Sequence, residues 1–156
     1  MPKLIEIRSW LTEHHGGQKS ATLGGHALPS EVGATSSSPW RVLCLAPAEW
    51  LLIDDDTAPV PDEPGLVLTD ATDGIAVLNL RGPLARDILS KGCGLDFDPR
   101  VFSVGRCART RLAQLPVIVD CVDEEPRFDL YVPRSYLRFL SDWLDDAAVE
   151  FTDGPP

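Results

Sequence analysis

Phe128-Asp129-Leu130-Tyr131-Val132, then Pro133, then Tyr136, Phe139, Leu140, Trp143, Leu144 and Ala147: this stretch decides the fold. Its first five residues put Phe128, Leu130 and Val132 on one side and Asp129 and Tyr131 on the other, the period of a half-buried strand. The six residues after Pro133 recur at helical spacing and share a stripe roughly 100° wide that must cover something apolar. A strand running into such a helix calls for a sheet with helices laid on it.

Working back toward the amino terminus, residues 106–112 and 117–122 read as two more strands around the link Ala113-Gln114-Leu115-Pro116. Before them, Arg81-Gly82-Pro83 starts a helix, since proline at the first helical position loses no needed donor. Leu84, Ala85, Ile88 and Leu89 form its apolar face, Lys91 suits the negative end of its dipole, and Gly92 offers a left-handed C-terminal position. Leu66-Val67-Leu68 and Ile75-Ala76-Val77-Leu78-Asn79-Leu80 read as a hairpin turning at Asp73-Gly74. Arg41-Val42-Leu43-Cys44-Leu45 and Trp50-Leu51-Leu52-Ile53 read as two tightly joined strands.

From residue 75 the order is strand, helix, three strands, helix, with a short strand at Val149-Glu150-Phe151 as an optional end. The expected class is α+β: a largely antiparallel sheet with helices packed on one face, in a split βαβ arrangement. Residues 40–151 form the expected single domain and residues 152–156 a disordered tail. In residues 12–39 apolar side chains thin out, and Gly16-Gly17, Gly24-Gly25 and Ser36-Ser37-Ser38 loosen the backbone. Residues 1–39 therefore read as an arm, either flexible or ordered on a partner.

Fourteen basic against 24 acidic side chains leave a formal charge of −10. Phosphate backbones and anionic lipid surfaces would be repelled, so neither nucleic acid nor membrane is an expected partner. Met1-Pro2-Lys3-Leu4-Ile5-Glu6 lacks the apolar core of a signal peptide and no run has the length of a membrane span, so the expected compartment is the cytoplasm.

Residue types that carry chemistry are scattered. Cys44, Cys93, Cys107 and Cys121 form no Cys-x-x-Cys pair and read as buried free thiols. His14, His15 and His26 all lie in the arm, away from any cysteine they could activate. Asp54-Asp55-Asp56 lacks the glycine and distal glutamate of a calcium loop and reads as a solvated turn. No glycine-rich strand-to-helix turn marks a flavin or nicotinamide site. No catalytic, cofactor-binding or metal-ligating residue is assigned to this chain.

An ordered set of motifs resembles one family. It runs Leu45-Ala46-Pro47-Ala48-Glu49-Trp50-Leu51-Leu52, Thr69-Asp70-Ala71-Thr72-Asp73-Gly74, Leu80-Arg81-Gly82-Pro83-Leu84-Ala85-Arg86-Asp87-Ile88-Leu89, Lys91-Gly92-Cys93, Arg106-Cys107-Ala108-Arg109-Thr110-Arg111-Leu112 and Tyr131-Val132-Pro133-Arg134-Ser135-Tyr136. Together these look like the gamma subunit family of heterotetrameric sarcosine oxidase, related in fold to folate-dependent aminomethyltransferases. The resemblance implies a small non-catalytic subunit, colourless when isolated. Its complex would oxidise sarcosine to glycine and hydrogen peroxide, releasing formaldehyde or passing the one-carbon unit to tetrahydrofolate, or would act in the same way on another N-methyl amino acid. FAD, FMN, NAD and tetrahydrofolate would belong to the alpha, beta and delta subunits, with the large alpha subunit the chief partner. Related aminomethyltransferases carry an aspartate in a strand after a Gly-Gly turn. Here that turn reads Gln114-Leu115-Pro116, and Asp120 reads as an outward-facing strand position. A stand-alone folate-binding or aminomethyl-transfer protein is the competing reading, and a general interaction module a third.

One feature points to a partner without the family. The last helix carries Arg134 and Arg138 near its start and Asp142, Asp145 and Asp146 near its end, the reverse of what the helix dipole favours. Arg138 is spaced to pair with Asp142, in the weaker order. Arg134 and Arg138 are the candidate partner surface.

Overall fold

The computed structural model describes residues 1–10 and 21–152. Antiparallel sheets and two α-helices make it the expected α+β class. The chain divides into two compact units, Met1–Asp73 and Gly74–Pro156, in place of one domain at 40–151.

The first unit is a five-stranded antiparallel sheet. Its elements are β1 (Lys3–Ser9), the short β2 (Thr22–Leu23), β3 (His26–Ala27) and β4 (Thr35–Ser36), then β5 (Arg41–Ala46), β6 (Glu49–Asp54) and β7 (Leu66–Asp70). Strand order is β4-β5-β6-β1-β7, with β2 and β3 a separate ribbon. The arm expected over residues 1–39 is thus corrected: β1 pairs with β6 on one side and β7 on the other. Ile5 and Ile7 supply enough alternation to bury one face with Val42, Trp50 and Leu52. Of the arm, residues 11–20, which include His14 and His15, lie outside the described residues. Two tryptophans hold the covering loops: the indole N–H of Trp40 donates to Ala58 O at 3.0 Å and that of Trp50 to Pro29 O at 2.7 Å. Burying an indole requires such a partner.

The expected β5–β6 hairpin forms, with Ala48 at φ 60° in its turn. The hairpin expected at Asp73-Gly74 does not. β7 pairs with β1, while β8 (Ile75–Arg81) pairs with β11 (Arg127–Pro133), and Asp73-Gly74 falls at the boundary of the two units.

In the second unit β8 leads through α1 (Ala85–Ser90) to β9 (Cys107–Leu112), β10 (Leu115–Asp123), β11, a 3₁₀ turn (Arg134–Tyr136) and α2 (Leu137–Thr152). The sheet order is β8-β11-β10-β9, so the crossover through α1 joins the two edge strands. Ala85 and Leu89 of α1 and Leu140 of α2 join Phe128, Leu130, Val132, Val119 and Cys121 in one core. β9 and β10 meet in a two-residue turn, Ala113 (φ 51°) and Gln114 (φ 70°), tighter than the four-residue link expected.

Three local expectations shift. Helix α1 begins at Ala85, behind the Leu84 cap, because Gly82 takes φ +113° to let its N–H reach Pro126 O, and Pro83 follows in the turn. Gly92 has no left-handed φ; it is needed for space, since a Cβ there would lie 2.5 Å from Cζ2 of Trp143. Val149-Glu150-Phe151 is the last turn of α2. Lys91 holds that turn, its ammonium donating to Ala147 O, pairing with Glu150 and lying 4.4 Å from the Phe151 ring centroid.

Candidate partner interface

The amino-terminal end of α2 is built as a rigid corner. Pro133 closes β11 in an extended conformation, and its fixed φ hands the chain to the 3₁₀ turn. The Arg134 N–H donates to Gly74 O at 2.9 Å and its guanidinium to Ile75 O at 3.1 Å, pinning the turn to the start of β8. Leu137 and Leu140 then drop into the core, and Trp143 and Leu144 continue the buried face.

This placement corrects the expected stripe. Tyr136 and Phe139 are 41% and 58% exposed, whereas Leu137, absent from the expected set, packs inward. The helix is rotated so that Leu140 sits at the centre of the contact, and the two aromatics fall on its rim. Arg138 is exposed too and makes no ion pair or hydrogen bond among the described residues, so the pairing with Asp142 does not form. The first turn of α2 holds no acidic residue and its last turn no basic one. An unpaired cation at the positive end of the dipole is disfavoured locally, whereas Glu150, late in the helix, is paired with Lys91.

Elsewhere the chemistry-bearing residues are engaged structurally. Asp120 does not face outward: it is fully buried, on an interior strand, directly across from Asp129 of β11 and Cys107 of β9. Asp129 accepts from the Asn79 amide at 2.6 Å and lies 3.5 Å from the Arg127 Nε, a nitrogen in ion-pair range but without hydrogen-bond geometry. Cys44, Cys107 and Cys121 are buried and in no disulfide, and Cys93 is half-buried, 3.6 Å from the Thr110 hydroxyl. Burial, helped by the nearby Glu31 charge, pushes the Cys44 thiol up. His26 stacks edge-on to Trp40 at 5.7 Å.

An open cleft of about 590 Å³ in the first unit is lined by Lys3, Asp54, Asp56 and Asp70 around Ile5 and Leu68. Its carboxylates shape turns: Asp54 accepts from the Asp56 N–H and Asp70 from the Thr72 N–H, each at 2.9 Å. Asp54 is itself buried, unlike the solvated turn expected of residues 54–56. The two strand-to-helix passages, through Gly82-Pro83 and through Pro133, lack the successive glycines that bring a dinucleotide's pyrophosphate to a helix start. Among the described residues no three metal-ligating side chains cluster, and no helix is long and apolar enough to cross a membrane.

Comparison with known proteins agrees over nearly the whole chain. The sarcosine oxidase, gamma subunit family matches residues 19–150. The sarcosine oxidase subunit gamma of Corynebacterium sp. (strain P-1) is 37% identical over 142 residues, covering 84% of this chain and 68% of that protein. That of Corynebacterium sp. (strain U-96) is 34% identical over 148 residues, covering 88% and 70%. The heterotetrameric sarcosine oxidase from Corynebacterium sp. U-96, solved in complex with pyrrole 2-carboxylate, contains a chain that superposes with a TM-score of 0.82 at 27% identity, over 99% of this chain and 83% of that one. By its sequence and its fold, the chain belongs to the sarcosine oxidase gamma subunit family.

Proposed function

We propose that this chain is a non-catalytic assembly subunit of a heterotetrameric sarcosine oxidase-type flavoenzyme. The observation that carries the reading is its similarity, across almost its full length, to a chain of a heterotetrameric sarcosine oxidase. In this reading the complex demethylates sarcosine, or a related N-methyl amino acid, oxidatively. With sarcosine as substrate and dioxygen as oxidant, glycine and hydrogen peroxide form, and the methyl carbon leaves as formaldehyde or as 5,10-methylenetetrahydrofolate. FAD, FMN, NAD and tetrahydrofolate sit on the alpha, beta and delta subunits, and the large alpha subunit is the main contact of this chain in the cytoplasm. Arg134 and Arg138 belong to the docking surface. The engagement of Asp120, Asp129 and the cysteines in packing and internal bonds supports a role in which this chain contributes a surface.

Affinity purification of the tagged chain at native expression, with mass spectrometry and an absorption spectrum, tests this. Recovery with flavin-bearing polypeptides, and no flavin absorption or turnover by the chain alone, is the expected result. Recovery free of any flavoprotein overturns it, and tetrahydrofolate binding by the chain alone would favour the aminomethyl-transfer reading.

A further inference from the structure

We infer that Tyr136 and Phe139, with Arg138 beside them, are the anchor by which this chain seats on another subunit of the complex, in an apolar pocket rimmed by carboxylates. The inference rests on the assembly role proposed above and adds the surface and the chemistry of what it meets.

Tyr136, the last residue of the 3₁₀ turn, and Phe139, in the first turn of α2, stand 41% and 58% exposed three residues apart. They sit on a base already fixed. Arg134 ties the turn to Gly74 and Ile75, and Leu137 and Leu140 lock the first turn of α2 into the core. A partner therefore meets an ordered surface and little side-chain freedom is lost on docking. Aromatic residues and arginine are the types that concentrate binding energy at the centre of interfaces.

Charge selects the partner. In a chain of formal charge −10, Arg138 is exposed and without an ion pair among the described residues, at the helix end where the backbone dipole adds to its positive potential. The complement of that corner is an acidic rim around an apolar centre. Asp145 and Asp146, late on the same helix, could offer a similar charge from a second copy of this chain. A different subunit is the occupant argued here, because the similar solved chain belongs to a heterotetramer.

The test uses the assembled complex, captured through a tag on its flavin-bearing subunit from cells producing every subunit. The readout is the fraction of this chain retained as salt is raised. Phe139→Ala should reduce retention at least tenfold and Arg138→Glu should reduce it with a flattened salt dependence. Phe139→Leu should recover most of the loss, and Asp145→Ala should behave as wild type. Melting of the isolated variants should match wild type, since these side chains are exposed. Wild-type retention of both Phe139→Ala and Arg138→Glu in a complex that still forms overturns the surface and leaves the assembly role intact. An isolated chain that sediments as a dimer, and as a monomer once Phe139→Ala is made, also overturns it by assigning the patch to self-association. Failure of the wild-type chain to join any flavin-bearing subunit removes the assembly role and this inference together.

Discussion

Gly92 and Trp143 are mutually exclusive with any side chain between them: a Cβ built on Gly92 would meet Cζ2 and Cη2 of the indole at 2.5 and 2.6 Å, and Ala113 N at 3.2 Å. The end of α1 and the middle of α2 touch through that one missing carbon. Gly92→Ala should destabilise the protein by about 1–3 kcal/mol through overpacking. Trp143→Ala should cost about 3 kcal/mol by leaving a void. The double variant should be less destabilised than the sum of the two, which denaturant melts in a double-mutant cycle would measure.

Arg86 is a structural arginine. Its Nη1 donates to Phe97 O at 2.7 Å and Phe102 O at 2.8 Å, and its guanidinium lies 5.1 Å from the Phe128 ring centroid. Lysine cannot reproduce that planar, two-acceptor geometry. Arg86→Lys should cost about 2 kcal/mol, and Arg86→Ala more, because carbonyls are left unsatisfied. Hydrogen exchange should report the loss first in the loop over residues 97–105.

The β9–β10 turn stores strain that sequence change can release. Ala113 and Gln114 both hold positive φ, which asparagine and glycine tolerate far better. Replacing the pair with Asn-Gly should stabilise the chain by about 1 kcal/mol, read as a rise in melting temperature with unchanged denaturant slope.

Asp98 gives the second unit an acid-sensitive loop. Hydrogen bonds from the Arg100 side chain and then its backbone N–H hold the Asp98 carboxyl far below the ordinary carboxylate range. A pKa depressed on folding means stability that is complete above the unfolded value, near 3.9, and is lost as pH falls toward the folded one. Wild type should therefore lose stability between about pH 4 and pH 2 more steeply than Asp98→Asn. Parallel acid titrations of the two would reveal equal slopes if the pairing contributes nothing. Asp98 is half-buried and Arg100 exposed, so raised salt should shrink the difference.

Local signals made the second unit readable. The strand over Phe128–Val132 and the helix after Pro133 each carry their signal within one element and form where expected, although both faces of that strand are buried and the helix turns Tyr136 and Phe139 outward. The first unit resisted because its decisive pairings are remote: Ile5 and Ile7 give two inward residues, and their partners lie at Leu52, Trp50, Asp70 and Leu68. Nothing local distinguishes such a segment from an arm. Asp73-Gly74 carried turn chemistry that the chain uses to leave one unit for the next, while the true hairpin turn at Ala113-Gln114 carries none. At the candidate interface the reversed charge order exposed Arg134 and Arg138. Tyr136 and Phe139 were hidden by a periodicity that tells which residues share a side of a helix and not where its buried centre lies. Leu137 and Phe151 were the usable clue, since including them rotates the apolar stripe away from both aromatics.

The interior position of β1 fixes an order of events during synthesis. Lys3 through Ser9 leave the ribosome before either of the strands they pair with, and Lys3 must wait for Asp54 in β6 and Ile5 for Asp70 in β7. Until β6 has emerged Ile5 and Ile7 belong to an unpaired nascent segment, and until residue 70 has emerged one edge of β1 stays open to chaperones and to mispairing with a neighbouring chain. Slowing translation over residues 10–66 should therefore raise aggregation, whereas slowing it after residue 74 should spare the first unit.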